Sequence, residues 1–200
     1  MLEETTPQAL TAEEELHALY ETVGDGNYIF RGENKDYGKI ACGLYRTFEN
    51  SDAIIQEKFT GVMEVLETEN TLKEIAKYFP TGEKNICMLA KAQHYGMATS
   101  LIDFTKNINI ALFFACHGNH EKDGRLIFFD MDETKEYEYA EEIYDEDYEK
   151  KKIFLLFEPF LDDNRLSFQQ GVFVHAKKGF IDEHADKDIC LLYTSDAADD

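Results

Sequence analysis

Apolar residues first recur at helical spacing at Leu16, Leu19, Tyr20 and Val23, and Thr11 with Glu14 three residues on forms a capping-box signature ahead of them. Gly24 and Gly26 end that helix. Tyr28 to Phe30 reads as a short strand that runs into Arg31 and Gly32, and "GKIACGLYRTF" as a weaker extended segment carrying Tyr45 and Arg46. Ser51 is a good N-cap for one long or two shorter helices over residues 52–78, where Ile55, Phe59, Val62, Met63 and Leu66 mark an apolar face, "ETENT" breaks the pattern, and Pro80 and Gly82 close it. A helix over 85–95 carries Ile86, Met88, Leu89 and Ala92, delivers Gln93 and His94 in its last turn, and meets Gly96 where a left-handed cap belongs.

The second half starts with an extended piece, Thr99 to Asp103, then Asn107 as N-cap of a helix so apolar all round that it is expected at the centre of the core, with Phe113, Phe114 and Ala115 buried. Residues 124–132 read as a buried strand, and "IFLLFEP" and "GVFVHA" as two more, joined by "FLDDNRLSFQQ". Residues 132–152, rich in acid and tyrosine, are expected to form a solvated connection. Helices first and alternating strands and helices afterwards predict an α+β fold, with a mixed, twisted sheet in which the strand of Arg31 and the strand of Thr99 lie near each other.

Composition agrees with a folded domain: 44% of the chain is apolar and 13% aromatic, with 15 Phe and 11 Tyr, well away from the make-up of disordered segments. A formal charge of −21 disfavours a broad nucleic-acid surface, while a local basic pocket stays open. Cys42, Cys87 and Cys116 form no CxxC pair and sit in apolar or small-residue surroundings, as reduced core thiols do. The N-terminus lacks a secretory pattern and no run approaches the roughly 18 apolar residues of a membrane span, so a cytoplasmic protein off the membrane is expected. The last eleven residues, "CLLYTSDAADD" (190–200), resemble the translation of a transposase adaptor used in preparing sequencing libraries, and the natural chain is expected to be interrupted after Ile189. The oligomeric state is left open.

Several blocks carry a resemblance: the aromatic-Arg-Gly element Phe30, Arg31, Gly32; "GLYRTF" at 43–48; "LAKAQHYGMATSLIDFTKNINIALFFA" at 89–115; and "NRLSFQQGVF" at 164–173. In this order they resemble the FRG domain family, over Tyr28 to about Val174, within a domain of residues 27–178 that follows an N-terminal helix in 1–26. Ser100 stands where an arginine is common in that family. The order strand-Arg-Gly, strand-Thr-Ser, apolar helix, strand is also similar to the core of ADP-ribosyltransferases. That similarity implies an NAD-class, nucleotide-like ligand, and the FRG resemblance implies an effector in bacterial or phage conflict; the alternative is a non-catalytic ligand- or protein-binding module.

The resemblance implies that Arg31, Gly32, Gln93, Thr99, Ser100 and Arg165 bind the cofactor and that His94, Asp103 and Gln170 serve catalysis. A buried guanidinium is a planar, always-charged fork suited to phosphate oxygens. The glutamate expected on the late strand is not identified, because Gln169 and Gln170 precede Gly171; Asp103, Glu33 or Glu158 are the carboxylates to take its place. By residue chemistry alone, His94 reads equally as an acid/base group or as a helix-terminal histidine bonded to backbone, and Arg31 as an internal partner of Asp103. His17, His94, His117, His120, His175 and His184 show no spacing of a metal-ligand set, so no metal is expected. Arg31, His94, Thr99, Asp103, Arg165 and Gln170 are expected to converge on one polar pocket.

Overall fold

The computed structural model describes residues 11–24, 26–49, 63–78, 82–118, 123–132, 137–140, 142–150, 154–157, 170–182 and 189–193. The expectations resting on Ser51, Ile55, Phe59, Val62, Pro80, His120, Glu158, Arg165, Gln169 and His184 lie outside the described residues.

The architecture is α+β, as the element order predicts. Helix α1 (Ala12–Val23) begins with the expected capping box, the Thr11 hydroxyl accepting from the Glu14 amide while the Glu14 carboxylate accepts from the Thr11 amide. Strand β1 (Tyr28–Glu33) follows, then β2 (Ile40–Ala41) and α2 (Gly43–Phe48). A π-wound stretch, Leu66–Leu72, runs directly into α3 (Lys73–Ala76), and α4 (Asn85–His94) follows, its end marked by Gly96 at φ +89°. Strand β3 (Leu101–Thr105), α5 (Ile108–Cys116), β4 (Arg125–Asp130), β5 (Tyr137–Tyr139), a 3-10 turn (Tyr148–Lys150), β6 (Phe154–Phe157), β7 (Gly171–Ala176), β8 (Phe180–Ile181) and β9 (Ile189–Tyr193) complete the order.

Seven strands form one mixed sheet in the order β5-β6-β7-β3-β1-β4-β9, parallel between β5 and β6 and antiparallel elsewhere, while β2 and β8 make a separate ribbon. Both faces of β1 are covered, so alternate side chains enter different cores. Ile29 packs with Ile40, Tyr45, Ile102, Ile127 and Val174; Phe30 packs on the other face with Leu19, Val23, Ala111, Leu126 and Phe128. A third cluster joins Leu72, Leu89, Leu101 and Phe173 to Ile143 and Tyr148.

Four expectations are corrected. "GLYRTF" is helix α2, because the buried Cys42 sulfur caps it by accepting from the Tyr45 amide at 3.3 Å, a role that thiols seldom take. "ETENT" does not break its helix but coincides with the π-wound stretch, whose wider turn carries Glu67 inward. The acidic segment is no simple solvated connection, since Ile143 and Tyr148 are core and Tyr137–Tyr139 is a strand. Phe113 and Phe114 are exposed, because α5 turns its small face, Ala111 and Ala115, to the sheet.

That small face explains two glycines. A Cβ on Gly32 would lie 1.7 Å from the Ala111 carbonyl oxygen, and one on Gly124 would lie 2.1 Å from that of Ala115, so α5 rests backbone to backbone on β1 and on the approach to β4. Residues 190–193, set aside in the sequence as foreign, pair with β4 within β9. An open strand edge accepts any extended apolar segment through its backbone, so this pairing describes the edge of β4 rather than the origin of the residues. Among the described residues, no helix is long and apolar enough to cross a membrane.

Candidate functional site

β1 pairs with β4 along its whole length and β3 pairs with β7 along its whole length, but β1 and β3 meet at one position, Phe30 opposite Thr105. Beyond it the two halves of the sheet part, and Arg31, the next residue of β1, reaches across the gap. Its Nη1 donates to the Asp103 carbonyl oxygen at 2.8 Å and its Nε to Glu33 Oε1 at 2.8 Å. The expected partnership with the Asp103 carboxylate is therefore replaced by one with Glu33, and Asp103 contributes its backbone. Nη2 of Arg31 has no partner among the described residues.

Glu33 is itself buried and shared. Its Oε2 accepts from Nε of Arg125 at 2.7 Å, and that wholly buried arginine also donates from Nη1 to Asp36 at 2.7 Å and from Nη2 to the Gly38 carbonyl at 2.9 Å. Arg31 and Arg125 thus share the Glu33 carboxylate, with Asp36 as the second carboxylate on Arg125, and this network fixes Arg31 at the gap.

Three concavities open around the gap, of about 350, 300 and 430 Å³, and Arg31 lines all of them. The first holds Gln93, His94 and Asp103 beside the Phe114 ring; the second holds Gln93, Thr99, Asp103 and Arg46; the third holds Asn34, Tyr37, Arg46, Phe114 and His117. Volumes of this order suit small-molecule ligands. Gln93 links the first two: its Nε2 donates to Asp103 Oδ1 at 2.7 Å while its Oε1 accepts from the Thr99 hydroxyl, which in turn accepts from the Leu101 amide at 3.2 Å. One Asp103 oxygen is thereby oriented at the cleft wall. His94 stands beside it with its ring edge-on to Tyr95.

Of the residues expected to converge, Arg31, His94, Thr99 and Asp103 line these adjoining concavities, as do the expected site residues Gly32 and Gln93. Gly32 lines the first and the third, but the approach its missing Cβ allows is that of α5 rather than of a ligand. Ser100 does not join: it is fully buried, and both its amide and its hydroxyl donate to the Glu67 carboxylate, at 2.6 and 2.5 Å. Gln170 is exposed at the head of β7 with φ +46°, its carbonyl accepting from the Lys106 amide; its neighbour Gly171, not Gln170 itself, lines the cleft. Arg165 lies outside the described residues.

Sequence reasoning passed over Arg46, Phe114 and Glu67 as site residues. Arg46 and Phe114 lie in motif blocks already quoted, so their signal was present but their direction was not. Glu67 is a buried carboxylate with no cation beside it among the described residues; it also accepts from the Tyr144 hydroxyl at 2.6 Å. Burial pushes its carboxyl above the usual range against the opposing pull of these hydrogen bonds, and burial likewise drives the Tyr144 hydroxyl well up. The Cys42 thiol, raised by burial to about 12, is no nucleophile.

Among the described residues, no group of three or more His, Cys, Asp or Glu side chains is placed to hold a metal ion. No curated protein and no solved structure matches the chain. The FRG domain family model matches residues 26–124, which take in β1 through α5 and so both walls of the gap. With that span and the aromatic-Arg-Gly element at the mouth of the cleft, the chain is a member of the FRG domain family.

Proposed function

We propose that the domain binds an anionic, nucleotide-like ligand of the NAD class in the gap between β1 and β3, with Arg31 holding its phosphate. The observation that carries this reading is the position of Arg31: a guanidinium anchored on one side, with a nitrogen left over, where two half-sheets part and three concavities meet. In a chain of formal charge −21, such a cation at a cleft is suited to recruit an anion. The Phe114 ring offers a face for a base, and Gln93 and Asp103 offer groups that bond ribose hydroxyls, with the buried Thr99 hydroxyl orienting Gln93.

If the ligand is NAD, the supported chemistry is of the ADP-ribosyltransferase type, as an effector in bacterial or phage conflict. The bond from the ribose C1′ to the nicotinamide nitrogen breaks, nicotinamide departs with the bonding pair, and a water or acceptor nucleophile forms the new bond at C1′ and releases its proton. Asp103 is the carboxylate on the cleft wall best placed to face the positive charge that develops on the ribose, since both oxygens of Glu33 are engaged by arginines. One feature favours a binding module without turnover: the Gln93 amide already occupies an Asp103 oxygen.

The test is calorimetric NAD binding with chromatographic assay of nicotinamide release, on the wild type, Arg31→Ala and Asp103→Asn. Charge-assisted hydrogen bonds contribute about 1.5–3 kcal/mol, so Arg31→Ala should weaken binding roughly 10- to 100-fold. Asp103→Asn should abolish turnover while leaving binding nearly intact. Binding without release in the wild type selects the module; no binding by the wild type defeats the nucleotide reading.

A further inference from the structure

We infer that Arg46 is the second half of the anion site, so that Arg31 and Arg46 together clamp a diphosphate and make the cleft selective for diphosphate-bearing nucleotides over monophosphates and nucleosides. This rests on the nucleotide reading above and adds to it the part of the ligand that is recognised.

The two arginines line two concavities in common, the second and the third. Each is fixed through Nη1 to a backbone carbonyl: Arg31 to Asp103 and Arg46 to Ala41, the latter at 3.0 Å. Arg46 has no carboxylate within ion-pair distance among the described residues, although acidic side chains outnumber basic ones 41 to 20 in the chain. The carboxylates that share these concavities are committed elsewhere, Asp103 to the Gln93 amide and Glu33 to Arg31 and Arg125. Arg46 opens onto the same two concavities as Arg31, and an anion seated there would be attracted by both guanidiniums.

The helix that carries Arg46 is held rigidly. The Leu44 amide donates to the Thr99 carbonyl at 3.0 Å, at the entry to β3, and the Cys42 amide to the Gly179 carbonyl at 2.9 Å, so α2 is pinned to the strand that supplies the other wall. A single phosphate satisfies one guanidinium fork; two phosphoryl groups joined by an oxygen suit two forks held apart. A single lysine would not reproduce this, because an ammonium is a point charge without the planar fork.

The experiment is titration calorimetry of the purified chain with ADP-ribose, AMP and adenosine, for the wild type, Arg46→Ala and Arg46→Lys, with circular dichroism of each variant to confirm that it is folded. Arg46→Ala should weaken ADP-ribose binding roughly 10- to 100-fold and AMP binding less than about threefold, with adenosine unaffected, and Arg46→Lys should restore only part of the loss. ADP-ribose binding that is unchanged in Arg46→Ala, or weakened by the same factor as AMP, overturns the clamp while leaving the nucleotide reading standing. A wild type that binds neither ADP-ribose nor NAD overturns both. If Arg46→Ala proves unfolded, the Lys variant decides: full affinity for ADP-ribose overturns the diphosphate fork, and a selective loss against AMP supports it.

Discussion

Replacing Gly32 by alanine is the sharpest probe of how the cleft is built. The new Cβ would stand 1.7 Å from the Ala111 carbonyl oxygen, 2.7 Å from its carbon and 2.8 Å from the Ala115 nitrogen, all backbone atoms with no rotamer to escape into. An ordinary contact is about 3.5 Å, so α5 must lift by well over an ångström. It cannot simply pivot, because its next turn is seated against Gly124 in the same way. Overpacking of this kind costs typically 1–3 kcal/mol and occasionally more, and we expect about 3 kcal/mol here. For a chain of this size that is a fall in Tm of roughly 6–12 °C. Two other glycines calibrate the result. Gly96→Ala has open space around it but a backbone at φ +89°, so it should cost about 1–2 kcal/mol through conformation alone. Gly43→Ala, at the start of α2 with its nearest neighbour atom at 3.5 Å, should be neutral or slightly stabilising. Urea unfolding and thermal scans of the three variants check the order, and Gly32→Ala as stable as Gly43→Ala would refute the backbone-to-backbone seating of α5. Because α5 also carries Phe114, the first variant should weaken whatever binds in the cleft, and the other variants are the controls.

Glu67 gives a prediction in pH. Burial raises its carboxyl above the ordinary 4.5, so the folded chain holds the proton more tightly than the unfolded chain does. The stability this contributes is complete below about pH 4.5, is lost as pH rises through the raised folded-state value, and stays lost above it. Glu67→Gln cannot ionise, so the urea midpoint of the variant relative to wild type should climb as pH rises above about 4.5, and a difference that stays flat would contradict the origin given for the shift. Arg125→Met should cost about 1–3 kcal/mol, because the buried Glu33 Oε2 loses its donor while Arg31 still holds Oε1 and the half-exposed Asp36 turns to water, and adding Glu33→Gln should recover part of it; a loss below about 1 kcal/mol in urea unfolding would show that the buried pair does not anchor Arg31.

How legible each feature was depends on the distance over which its cause acts. The capping box at Thr11 and Glu14, the Asn107 cap of α5 and the Gly96 terminus were readable because the bonds that make them span two to four residues. The α+β class and the neighbourhood of β1 and β3 followed from the order of the elements. Helix α2 was misread because its cap is a buried thiol, and the acidic segment because Ile143 and Tyr148 are buried by partners far along the chain. The family motif pointed to Arg31, Gln93, His94, Thr99 and Asp103 as a group, but spacing has no direction in it. Only the tertiary structure turned Ser100 inward to Glu67 and Phe114 outward to the cleft, and set Arg46 at the concavities that Arg31 lines.

The chain by itself therefore determined its local elements, its class and the residue types available for an anion site. The packing of α5 through Gly32 and Gly124, the sharing of Glu33 between Arg31 and Arg125, and the parting of β1 from β3 after Phe30 were decided in three dimensions. The physical reason is that the deciding contacts, Gly32 with Ala111, Glu33 with Arg125 and Phe30 with Thr105, join residues some seventy or more positions apart in the chain, where backbone contact and buried charge pairing outweigh any preference a short stretch of sequence expresses.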